Sequence, residues 1–240
     1  RIVITGIGII SPIGIGKDEF WNSLFMGKSG FKPITLFDTS DLKVNIAGEI
    51  TDFDAKIFLG KKGLRDLNRS TRLLCSAAKL AIDDSQLQID DSNNKKIGVS
   101  IGTNFGSLHT VFEFGKEYLN LGPRLVNPSL FPTTISNSAA SRLGIQFNIK
   151  GFNSTITTGM CSSLDAIDYA VDAINFDRAK VAIVGVMEEL SLEIFLGFYK
   201  VNCLAGMDDN KPLLSCPFDR RRNGVIFSEG AVVLILEDLE

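Results

Sequence analysis

The feature that most constrains this chain is an alternation of short β-branched runs with stretches of helical periodicity. Ile2 to Thr5, Ile97 to Ile101, Ser154 to Thr158, Val181 to Val186 and Val232 to Leu236 read as strands covered on both faces. Between them, Lys17 to Met26 and Arg69 to Asp84 carry apolar residues at helical spacing. Leu164, Ile167, Val171 and Ile174 form the expected inward stripe of a third helix. That order predicts an α/β fold with a central sheet between helical layers. No repeat, low-complexity tract or flexible linker divides residues 1–240, which read as one unit with an inserted subregion at roughly Phe105 to Gly151. The insertion holds Pro123, Pro128 and Pro132, is too long for an idle loop, and is expected to carry function or a subunit contact.

Composition narrows the function classes. A net charge of −3, with no Lys/Arg stripe, provides no field for a polyanion and argues against nucleic acid. The four cysteines, Cys75, Cys161, Cys203 and Cys216, show no C-x-x-C or Cys/His spacing, and His109 is the only histidine. No metal and no disulfide framework are expected. The opening residues carry no basic leader followed by an apolar stretch, and no apolar run approaches the roughly 18 residues of a membrane span. A soluble, cytoplasmic protein is expected. The first residue already lies in a strand-like run and the last such run stops near Glu240, so a trimmed segment is expected too.

Gly6-Ile7-Gly8 after the first strand invites a dinucleotide-binding reading, but Ser11 stands where the third glycine of G-x-G-x-x-G belongs. A tight turn without a nucleotide cofactor is the expectation. Thr157-Thr158-Gly159-Met160-Cys161-Ser162-Ser163-Leu164 puts a strand, a small-residue turn and a helix in succession. Such an elbow exposes a side chain at a helix N-terminus, where the dipole lowers a thiol pKa and backbone N–H groups can hold an oxyanion. Periodicity alone leaves a structural and a catalytic cysteine equally open there.

Val3-Ile4-Thr5-Gly6-Ile7-Gly8-Ile9-Ile10-Ser11-Pro12-Ile13-Gly14 resembles the opening of the β-ketoacyl-acyl carrier protein synthases, in particular the chain-elongating type II enzymes. Phe37-Asp38-Thr39-Ser40, Gly122-Pro123-Arg124 with Pro132-Thr133-Thr134, the elbow, and Pro217-Phe218-Asp219-Arg220 with Asn223-Gly224 and Glu229-Gly230 follow in family order. The resemblance implies the N-terminal half of a thiolase-like fold, with the C-terminal half absent from this chain. It implies Claisen condensation chemistry, no cofactor, acyl carrier protein as partner, and a homodimer or heterodimer of ketosynthase-fold chains.

The family's elbow reads T-A-C-x-S-G-L-D-A-I, with Cys as nucleophile. Laying Thr158 on the Thr and Leu164-Asp165-Ala166-Ile167 on L-D-A-I leaves no gap and sets Met160 on the nucleophile, Cys161 on the variable residue after it. A thioether has no dissociable proton and cannot form the acyl thioester. The alternative nucleophile, Cys161, needs a one-residue shift, about 100° around the helix. By resemblance, then, the chain is similar to the nucleophile-less chain length factor subunits, although Gln is the usual substitute there. An active condensing enzyme using Cys161 is the alternative, and a thiolase-like acyl-CoA enzyme a weaker one. Phe105 falls where the family keeps a residue at the floor of the acyl pocket, and an ordinary core phenylalanine fits equally. Leu130, Phe131 and Thr134 lie in the stretch that by resemblance crosses the dimer interface toward the partner's pocket; a merely packed loop is the plain alternative. The family's two catalytic histidines belong to its C-terminal half, and His109 matches neither, so it is read as a surface or loop residue.

Overall fold

The computed structural model describes residues 1–208, 211 and 213–239. Glu240, where the last strand-like run stops, lies outside them. The strands are β1 (Ile2–Ser11), β2 (Gly14–Ile15), β3 (Phe31–Pro33), β4 (Ile46–Gly48), β5 (Ile97–Gly102), β6 (Asn153–Ile156), β7 (Val181–Glu188) and β8 (Gly230–Asp238). β3 and β4 form a separate antiparallel ribbon, and the rest make one sheet in the order β2-β1-β8-β7-β5-β6. β5 runs parallel to β6 and β7, whereas β8 is antiparallel to both β1 and β7. The sheet is therefore mixed.

Burial on both faces, expected of all the long strands, holds for β5, where every residue is buried. It fails at the margins. β6 is the outermost strand, shielded from one side only, and none of its residues is fully buried. β1 leaves Ile4 and Thr5 exposed before its register shift between Ile4 and Gly6.

The helices are α1 (Lys17–Phe25), α2 (Lys56–Leu59), α3 (Arg69–Ser85), α4 (Leu108–Leu121), α5 (Ser138–Gln146), α6 (Ser162–Asn175) and α7 (Leu192–Lys200). α3 starts at Asn68, whose side chain accepts from the Thr71 N–H at 3.1 Å. Its Leu73, Leu74, Ala77 and Ala78 share a core with Val99, Ile101, Ile183, Val233 and Ile235. The alternate residues Ala182, Val184 and Leu236 pack with α6 on the opposite face, because successive strand side chains point to opposite sides. The expected α/β/α layering follows.

Gly6-Ile7-Gly8 is not a turn: it lies inside β1. A Cβ on Gly8 would stand 1.9 Å from the Ala77 carbonyl oxygen, and one on Gly6 2.3 Å from that of Ala81. The glycines let the backbone of α3 rest directly on the strand. The inward stripe of α6 also differs from expectation. Ala166, Ala170, Ala173 and Ile174 are buried, Ile167 and Val171 flank them, and Leu164 is 67% exposed. Small side chains face the sheet because helix and strands approach closely. α1, likewise apolar at helical spacing, buries only Ser23 and leaves Trp21, Leu24, Phe25 and Met26 exposed. The inserted region contains α4, a 3₁₀ turn over Pro128–Thr133 and α5, so it is built structure with its own contacts on α3.

Candidate active site

β5, β6 and β7 are parallel, so their C-terminal ends meet at one edge of the sheet. The elbow stands there. Gly159, with φ of 80°, opens a single 3₁₀ turn, Gly159–Cys161, that leads into α6. Two local bonds fix it: the Thr158 N–H donates to Ser162 Oγ at 2.9 Å, and that hydroxyl donates to the Gly159 carbonyl at 2.6 Å. Thr158 Oγ1 also donates to Asp165 in the first turn of α6.

Met160 is expected to be buried near the centre of the fold, and in this chain it is 73% exposed. It does stand at the start of α6, with its side chain open to solvent. Its sulfur accepts from Asn104 Nδ2 at 3.6 Å. The turn after β5 that carries Asn104 is held from below by Glu188 at the end of β7, which accepts from the Asn104 N–H, from Thr103 Oγ1 at 3.0 Å and from the Phe105 N–H at 3.4 Å. Burial raises the Glu188 carboxyl above the usual carboxylate range, and these hydrogen bonds only partly oppose it.

Met160, Phe105, Glu188 and Phe227 line a pocket of about 150 Å³ beside the elbow. Phe105 packs edge-on against Phe198 at 5.8 Å between ring centroids and against Phe227 at 6.2 Å, which closes that end. Cys161 is exposed and is not among the residues lining the pocket. Phe131 is 61% exposed on the 3₁₀ turn, with Leu130 and Thr134 half-buried beside it, so these residues are set apart from the elbow pocket in this chain.

His109 is no loop residue. It lies in the first turn of α4, half-buried, with Nδ1 3.0 Å from Glu193 Oε2 in the first turn of α7. Glu113, one helical turn on, completes a group whose ligand-type atoms lie within 4.8 Å of one another, a spacing a cation could bridge. Sequence spacing alone could not find it, since Glu193 comes from a different helix. Sequence reading also missed the buried carboxylates. Glu229, of the Glu229-Gly230 motif, is fully buried and accepts from Arg69 Nε at 2.7 Å and the Ile50 N–H at 2.8 Å. That motif residue, just before β8, ties the start of α3 to the segment that follows β4.

A family model described as "Beta-ketoacyl synthase, N-terminal domain" matches residues 1–240. The chain belongs to the β-ketoacyl synthase family. Among its curated ketosynthase relatives, it is 34% identical to "3-oxoacyl-[acyl-carrier-protein] synthase 2" of Coxiella burnetii, over 100% of this chain and 58% of the relative. The identity to the protein of the same description from Synechocystis is 35%, again over 100% and 58%. Its structure is similar to "The ishigamide ketosynthase/chain length factor", with a TM-score of 0.90 at 29% identity over 100% of this chain and 58% of that one. It is also similar to the ketosynthase complex "AntDE:AntF (apo): type II PKS acyl-carrier protein in complex with its ketosynthase bound to the hexaketide", with a TM-score of 0.81 at 25% identity, over 100% and 58%. The chain thus spans 58% of the length of these relatives, and the thiolase-like α/β fold that its motifs imply is theirs.

Proposed function

We propose that residues 1–240 are the N-terminal half of a ketosynthase-fold subunit of fatty acid or polyketide synthesis that shapes chain length without holding an acyl chain of its own. The observation that carries this reading is Met160 at the apex of the elbow, bonded by Asn104 and lining the pocket, while the thiol of Cys161 is not part of the lining. A thioether in that position offers no thiolate for acyl transfer. The Phe105 contact with Phe198 and Phe227 supports the same reading, since three rings leave little room for an acyl chain.

The partners follow from the family. One solved neighbour is described as a ketosynthase/chain length factor and another as a ketosynthase in complex with an acyl carrier protein. The protein works in the cytoplasm with an acyl carrier protein and with an active ketosynthase-fold chain, touching the latter through β6 and the stretch Leu130, Phe131 and Thr134. β6 supports this because it is the last strand of the sheet and its outer edge lacks a strand partner among the described residues. In the test, the complete protein is incubated with acyl-loaded carrier protein and weighed by intact-mass spectrometry. No acyl adduct is expected. An adduct on the wild type that disappears in Cys161→Ala would return the protein to the active condensing enzymes.

A further inference from the structure

The largest cavity described is elsewhere and shares no lining residue with the elbow pocket. It is a solvent-open cleft of about 860 Å³ between α3, α4, α5 and the 3₁₀ turn over Pro128–Thr133. Four arginines line it: Arg65, Arg69, Arg72 and Arg142. Among the described residues, Arg69 alone of the four is neutralised in place, by Glu229 at 2.6 Å. Arg72 gives one amino group to the Leu64 carbonyl at 2.9 Å, and its buried Nε–H has no acceptor. Among the described residues, neither Arg65, Arg72 nor Arg142 forms an ion pair, and Arg142 forms no hydrogen bond. The single carboxylate on the wall, again among the described residues, is Glu113, whose closest cation is Lys116 at 3.9 Å.

Arg72 and Arg142 are half-buried guanidinium groups, costly to gather without counter-charge, and Arg65 stands exposed at the rim, so among the described residues the cleft carries a positive potential. Two helix N-termini add to that field, since Asn68 and Arg69 at the start of α3 and His109 and Thr110 at the start of α4 belong to the same wall. This stands out in a chain whose net charge is −3. The fork of an arginine suits a phosphate group. Leu67, Leu130 and Pro132 supply apolar wall for an organic body, and the volume matches that of small-molecule sites.

We infer that this cavity binds a small phosphate ester, with the phosphate held by Arg72 and Arg142. The site shares no lining residue with the elbow pocket, and its Leu130 wall borders the stretch proposed to meet the partner chain, so the two proposals are tested separately. Isothermal titration of the complete protein, in its native assembly, with inorganic pyrophosphate at low ionic strength tests it. Saturable binding is expected, weakened by about tenfold or more in Arg142→Gln, as for loss of one charge-assisted pair, and unchanged in Arg222→Gln on the exposed loop. If Arg142→Gln does not fold, as judged by thermal melting without ligand, Arg65→Gln on the rim is expected to weaken binding in the same direction. No saturable heat, equal affinity in the cavity variant that folds, or equal weakening by Arg222→Gln overturns the inference.

Discussion

In the proposed function, a thioether at position 160 faces a helix N-terminus without a proton to lose. α6 still presents its N-terminus to that side chain, and Asn104 still points an amide at its sulfur. A thiol placed there is therefore expected to be reactive. Met160→Cys gains one site that iodoacetamide labels at pH 7 faster than Cys203, read by peptide mapping, because a helix N-terminus favours thiolate. A label rate no higher than that of Cys203 would show that the elbow no longer activates a nucleophile. A second residue-scale expectation concerns Glu189. It is 2% exposed, one oxygen accepts from the Ser70 N–H at 3.0 Å, and the other has no partner. Burial raises its carboxyl above the usual value of 4.5, so the folded state holds the proton more tightly than the unfolded chain. The stability this contributes is present below about pH 4.5 and is lost as pH rises through the folded-state value. Glu189→Gln, which stays neutral, should melt at a higher temperature than wild type at pH 7, with the difference shrinking toward pH 4. A lower melting temperature at both pH values would mean that the charged form is stabilised in the fold.

Between elements, the distance of closest approach decides more than hydrophobicity does. α3 lies on β1 where two glycines remove side chains, and α6 lies on the other face through alanines. Gly8→Ala must push the Ala77 carbonyl away from 1.9 Å, and so move α3. We expect it to destabilise by about 1–3 kcal/mol, as overpacking does, measured by urea denaturation. A change under about 0.5 kcal/mol, the range of neutral surface substitutions, would show that helix and strand separate freely. The same closeness explains why Leu164 stands outside the inward face of α6 while Ile174, Ile167 and Val171 pack against the core. Leu164 is apolar at the correct spacing, yet the face that fits the sheet is the one made of small residues.

For the whole molecule, the uncovered edges matter most. β6 ends the sheet, α1 leaves Trp21 at 64% and Phe25 at 85% exposure, and Met160 is open at the elbow. The complete protein is expected to form a dimer, or to do so once mixed with an active ketosynthase; light scattering that gives a monomer in both cases would count against the proposed contact through β6. What the sequence by itself determined was the alternation of strands and helices, the α/β class, and the family through its ordered motifs. These are local properties, carried by residues close together in the chain. Only the tertiary structure decided the antiparallel β8 at the middle of the sheet, the role of Gly6 and Gly8 under α3, the three rings around Phe105, the pairing of His109 with Glu193, and the gathering of Arg72 and Arg142 at one cavity. Each of these joins residues far apart in sequence, whose side chains carry no mark of their partners until the helices pack and fix how near two backbones can come.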